Sequence, residues 1–106
     1  MKMILESSDG SRTPAPSLLS VQKAIDGLEN MDDGYVVIGP DEMTYVQCLG
    51  NSKQGYILEY QEGDTDQHFQ AINNDWLPGS LADRLWRYAD GDPTWKEGID
   101  WERLEI

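Results

Sequence analysis

The sequence predicts an α+β domain: an antiparallel meander of about four strands with two main helices packed on one face. Three observations predict it. Apolar residues recur at helical spacing over residues 18–28. Three strand-like runs separated by tight turns follow between residues 35 and 61. A capped amphipathic helix then occupies residues 80–90. The chain has 106 residues, which suits a single domain spanning 1–106.

The first helix is read from Leu18, Val21, Ile25 and Leu28, which share one helical face. Ser17 or Ser20 can cap it, because a side-chain oxygen there accepts an orphan backbone N–H. Its end is expected near Asn30, before the turn sequence Met31-Asp32-Asp33-Gly34. Upstream, residues 1–5 suit a short strand or a flexible start. Residues 7–17 read as loop, since Pro14 and Pro16 disfavour helix in the residues before them.

Residues 35–38 are aromatic and β-branched, as strands prefer. Residues 43–49 form the second run. Residues 56–61 form the third, with Tyr56, Leu58 and Tyr60 on one face and Ile57, Glu59 and Gln61 on the other. Short connections between them require antiparallel neighbours. Residues 67–72 supply a fourth strand. Ser80 is read as the cap of the second helix, with Asp83 three residues on. Gly91 and Pro93 end that helix. Trp95, Ile99, Trp101 and Leu104 are too apolar for a free tail and are expected to dock on the fold.

Charge is the strongest functional signal. There are 20 Asp and Glu against 8 Lys and Arg, a formal net charge of -12. Residues 54–106 carry -8 of it, and no Lys or Arg lies between Lys53 and Arg84. That interval holds Glu59, Glu62, Asp64, Asp66, Asp75 and Asp83 among Tyr56, Tyr60, Phe69 and Trp76. Such a surface attracts a basic protein and repels phosphate backbones and anionic membranes. Direct nucleic-acid binding and membrane association are therefore not expected. An acidic excess also serves solubility alone. Cys48 is the single cysteine, so no intrachain disulfide forms, and a reducing cytoplasm is the expected compartment. No run approaches the ~20 apolar residues of a membrane helix.

Candidate chemistry is sparse, and the chain is not expected to be an enzyme. A nucleophilic couple has only Cys48 and His68 to draw on, and Cys48 sits in an apolar run that suits an inert buried thiol. Asp64, Asp66 and His68 alternate, as weak ligands of a divalent cation would. The calcium-loop pattern fails, because Phe69 stands where glycine is needed. A solvated turn explains that trio better, and no cofactor or resident metal is expected. The paired carboxylates Asp32/Asp33, Asp41/Glu42 and Asp90/Asp92 fall in turn-like sequence.

The layout resembles the first-numbered immunity-protein family of bacterial polymorphic toxin systems. The residues that carry the resemblance are the helix around Val21–Leu28 and the strand runs 35–38, 43–49 and 55–60. Downstream, the block 81–91 and the following Trp95 and Trp101 complete it. The family's glycine-rich hairpin is matched in part, by Gly50 and Gly55. The resemblance implies a small cytoplasmic α+β protein that binds and blocks a cognate toxin, often one acting on nucleic acid. The expected contact set is Glu59, Tyr60, Glu62, Asp64, Asp66 and Trp76, with the acids meeting toxin Lys and Arg and the rings filling apolar pockets. The expected state is a monomer or weak dimer. The alternative role is a small regulatory or adaptor domain that takes a peptide or small ligand in an aromatic pocket.

Overall fold

The computed structural model describes residues 2–72 and 75–105. Strands β1 (Ile4–Ser7) and β2 (Arg12–Pro14) form a hairpin ahead of helix α1 (Leu18–Gly27). Then come β3 (Tyr35–Asp41), β4 (Thr44–Asn51), β5 (Gly55–Glu62) and β6 (His68–Ala71). Helix α2 (Pro78–Ala89) and β7 (Trp101–Arg103) complete the chain. The seven strands make one sheet in the order β2-β1-β3-β4-β5-β6-β7, and every pairing is antiparallel.

The α+β class stands, but the expectation of about four strands is corrected: among the described residues the sheet has seven. Strands β2 and β7 were not expected, and β1 only as one of two options for residues 1–5; all three are three or four residues long. So short a run shows little alternation, and tertiary pairing decides its conformation. Residues 12–14 were expected as loop because of Pro14. Proline is tolerated there because β2 is an edge strand, where its missing N–H interrupts no ladder.

Helix α1 is capped by a reciprocal pair. Ser17 Oγ accepts from Ser20 N at 3.2 Å, and Ser17 N donates to Ser20 Oγ at 2.8 Å. Val21, Ile25 and Leu28 are fully buried, whereas Leu18 is 39% exposed, so the apolar stripe begins one turn later than its spacing implied. Helix α2 starts earlier than Ser80. Pro78 takes the first helical position, where its missing N–H costs nothing, and Ser80 Oγ turns back to accept from Leu77 N at 3.1 Å. Gly91 (φ +79) ends α2 in the left-handed conformation.

The alternation of the strands divides the sheet into two faces. One face turns Leu5, Val36, Ile38, Val46, Cys48 and Leu58 toward Val21, Ile25 and Leu28 of the α1 segment and Leu81 and Leu85 of α2. All of these are 4% exposed or less. Each such side chain stabilises the fold by about 1.5–3 kcal/mol of transfer free energy. Farther along this face, an aromatic cluster joins sheet to tail. The Tyr60 ring lies 4.9 Å from Phe69, 5.1 Å from Trp95 and 4.7 Å from Trp101, centroid to centroid. Tyr88 of α2 meets Trp95 at 5.2 Å. The tail thus docks as its composition implied. Arg84 secures it, donating to the Thr94, Trp95 and Glu97 carbonyls. No described helix is long and apolar enough to cross a membrane.

Candidate partner-binding face

The second face of the sheet carries neither helix. Its side chains fall into rows fixed by strand register. Tyr35, Leu49 and Ile57 form an apolar row across β3, β4 and β5. Tyr35 is 43% exposed and Ile57 39%. The next row is Glu6, Val37, Gln47, Glu59 and Gln70. The third contains Tyr45, Gln61 and His68. Rows on one face repeat every two residues, or about 6.6 Å along the strands.

A hydrogen-bonded network knits the second and third rows. His68 Nδ1 lies 3.1 Å from Gln61 Oε1, and His68 Nε2 lies 2.7 Å from Glu59 Oε1. Gln47 Nε2 donates to the same Glu59 oxygen at 3.0 Å. The Gln61 amide is oriented by its other end, where Nε2 donates to the Met43 carbonyl at 3.0 Å. A carbonyl only accepts, so Gln61 must present its oxygen to His68. Both ring nitrogens therefore face acceptors. Tyr45 packs edge-on against the imidazole at 6.2 Å. His68 and Gln61 are buried although they face away from the helices.

The end of the sheet beyond the third row is acidic, with Asp41 and Glu62 flanking Thr44 in a row that alternation turns to the helix side. The β3–β4 turn brings Asp41 and Glu42, and the β5–β6 connection brings Glu62, Asp64 and Asp66. The two turns touch: Gly63 N donates to the Met43 carbonyl at 2.9 Å, and Thr44 pairs with Glu62. Two cations reach the rim. Lys96 Nζ lies 3.7 Å from Glu62, and Arg103 Nε donates to the Asp66 carbonyl at 2.7 Å. Asp41 and Glu42 take part in no ion pair among the described residues.

The structure separates the expected contact residues into two groups. Glu62, Asp64 and Asp66 are exposed and gather at the acidic end. Asp64 also caps a short 3-10 turn, accepting from Asp66 N at 2.9 Å. Glu59 is committed to His68 and Gln47, with its side chain 14% exposed. Tyr60 is 7% exposed in the aromatic cluster, where burial and then Glu62 raise its phenol pKa. Trp76 is half-buried and packs against the core. Tyr60 and Trp76 thus serve the interior. The exposed apolar side chains of this face are instead Met43, beside the acidic turns, and Tyr35 and Ile57 at the opposite end of the strands.

Sequence reasoning passed over these three as ordinary strand and turn residues. The outward alternation of Ile57 with Glu59 was its one legible sign. Asp41 and Glu42 lie in the less acidic half of the chain, and only the contact between the two turns joins them to Glu62, Asp64 and Asp66.

The geometry does not assemble the reactive couples considered from sequence. Cys48 faces the helices and His68 the opposite side of the sheet. Burial pushes the Cys48 thiol up to about 12. His68 turns to Glu59 rather than toward Asp64 and Asp66, and among the described residues no group of three His, Cys, Asp or Glu is placed to hold a metal. Compared with protein-family models, with curated proteins and with solved structures, the chain matches none.

Proposed function

We propose that this chain is a non-catalytic inhibitor of the immunity type, acting in the cytoplasm by docking a basic toxin on its helix-free sheet face. One observation carries the reading. Exposed Tyr35, Met43 and Ile57 lie on the helix-free face of a sheet whose Met43 end carries acids assembled from two turns. Apolar surface supplies affinity, and aromatic residues commonly anchor such contacts. The acids supply orientation and fast association with a basic partner, since opposite potentials steer encounter. The network beneath stiffens the surface, so little side-chain freedom is lost on docking. The resemblance to immunity proteins favours a toxin as the partner. The adaptor role draws its support from the groove between Tyr35 and Tyr45 on this face.

The test uses the product of the gene directly upstream, expressed alone and with this chain. The expected result is growth arrest by that product, relieved by co-expression. Ile57→Lys should keep the melting temperature and lose the relief. A harmless upstream product, or relief that survives Ile57→Lys combined with Glu62→Lys and Asp64→Lys, would overturn the proposal.

A further inference from the structure

The sheet is open and ends in two edge strands, β2 and β7. An edge presents backbone N–H and carbonyl groups that no neighbouring strand bonds. In an antiparallel ladder these groups turn inward and outward at alternate residues. At the first edge, Ser7 N donates to the Ser11 carbonyl at 3.1 Å and Ala15 N to the Met3 carbonyl at 3.0 Å, so residues 11, 13 and 15 face β1. Arg12 and Pro14 face outward, and Pro14 has no N–H to offer. At the second edge, Leu104 N donates to the His68 carbonyl at 2.8 Å, and the Asp100 carbonyl accepts from Ile72 N at 2.9 Å. Residues 100, 102 and 104 therefore face β6, while Trp101 and Arg103 turn both N–H and carbonyl outward. No described residue bonds these outward groups. Proline blocks one edge, and the other is open.

The side chains along the open edge select what pairs with it. Glu102 stands opposite Gln70, which places it on the helix-free face. Asp100, two residues earlier in the same ladder, shares that side. Residues 97–105 hold Glu97, Asp100, Glu102 and Glu105 against a single base, Arg103. All five are exposed, and Arg103 Nε is held by the Asp66 carbonyl at 2.7 Å. Among the described residues, none of the four acids takes part in an ion pair. Facing side chains of paired strands come within about 5 Å of each other, where like charges repel and opposite charges attract. A second copy of this chain is therefore refused in each two-fold register that uses the outward groups. Centred on Trp101, it sets Asp100 against Glu102. Centred on Glu102 or on Arg103, it sets that residue against its own copy. A strand with Lys or Arg at alternate positions meets Asp100 and Glu102 with opposite charge instead.

We infer that the free edge of β7 is a strand-addition site for an extended segment of a partner protein, with Lys or Arg at every second position facing Asp100 and Glu102. Backbone bonds to Trp101 and Arg103 hold the segment, and the acids choose it. The inference goes beyond the docking role of the helix-free face, because it rests on the backbone of the edge and not on Tyr35, Met43 or Ile57.

The experiment is amide-resolved NMR with hydrogen exchange on the full chain, titrated with a short blocked peptide of alternating Lys and Val. Two control peptides carry Glu in place of Lys, or N-methyl groups on the Val amides that would meet the Trp101 and Arg103 carbonyls. In the free chain, the Trp101 and Arg103 amides should exchange at least about tenfold faster than those of Glu102 and Leu104. The Lys peptide should give saturable shifts centred on residues 100–104 and slow the two outward amides by about the same factor. Both control peptides should bind at least about fivefold more weakly, and Glu102→Lys should weaken the Lys peptide to a similar degree. Glu102 is exposed, so that variant should keep its spectrum elsewhere, and the control peptides decide the matter without any variant. Trp101 and Arg103 amides already protected in the free chain would mean that the edge is covered, and the site would fall. Equal binding of either control peptide, shifts centred elsewhere, or a silent titration would also overturn it.

Discussion

The two faces of the sheet are made by the same strands, residue by alternate residue, and they do opposite work. Leu58 and Ile57 are neighbours in β5. Leu58 points at the helices and is fully buried, whereas Ile57 points away and is 39% exposed. Cys48 and Gln47 divide in the same way in β4. The helix side is sealed mostly by apolar side chains, and its buried Tyr56 donates its hydroxyl to Glu29. The other side buries His68 and Gln61 by giving each polar atom a partner. No described buried side-chain nitrogen or oxygen lacks one. One face thus stores stability, and the other presents a stiff, chemically mixed surface.

The contrast is broken most severely in β5. Leu58→Ala should destabilise by roughly 2–5 kcal/mol, because the enclosed site cannot collapse around the void. Ile57→Ala next to it should stay within about 0.5 kcal/mol. Urea unfolding of both variants reads the difference directly, and equal losses would mean that the outer face is covered after all.

Glu59 probes the polar side. Glu59→Ala leaves His68 Nε2 and Gln47 Nε2 without their acceptor and should cost about 1–3 kcal/mol. Glu59→Gln retains an oxygen and should cost less. A double-mutant cycle with His68→Gln should show coupling of at least about 0.5 kcal/mol. Additive losses would dissolve the network into independent contacts.

The smallest effect concerns Cys48. Burial holds its thiol at about 12 against 9.0 for an unperturbed group. The folded state therefore keeps its proton after the unfolded chain has lost it. Stability is full below pH 9 and falls as the pH rises toward 12. Between pH 8 and pH 9.5 the wild type should lose roughly 1 kcal/mol more than Cys48→Ala. Parallel pH profiles in thermal melts would show that the thiol is not sealed from water.

The helices were legible because their signals are local. Val21, Ile25 and Leu28 repeat at helical spacing, and Gly91 and Pro93 mark a stop within a few residues of each other. Strands β3, β4 and β5 were legible through β-branched and aromatic runs bounded by turns. Strands β2 and β7 were not, because three residues carry no period and only a neighbour's ladder makes them strands, and the choice between strand and flexible start for β1 was settled the same way. The exposed acids Glu62, Asp64 and Asp66 were legible as charge. Tyr60 and Trp76 were not legible as packing residues, because an aromatic ring reads alike in sequence whether it fills a core or awaits a partner.

By itself, the sequence determined the net charge of -12, the single thiol, the two helices and the central meander. Each depends on composition or on residues within about one turn or one strand of each other. Tertiary structure alone decided which half of each strand's alternation the helices cover. It also decided that Asp41 and Glu42 join Glu62, and that His68 closes on Glu59 and Gln61. Those outcomes depend on strand register, and register is set by the whole sheet, since a slip of one residue would turn every side chain to the other face.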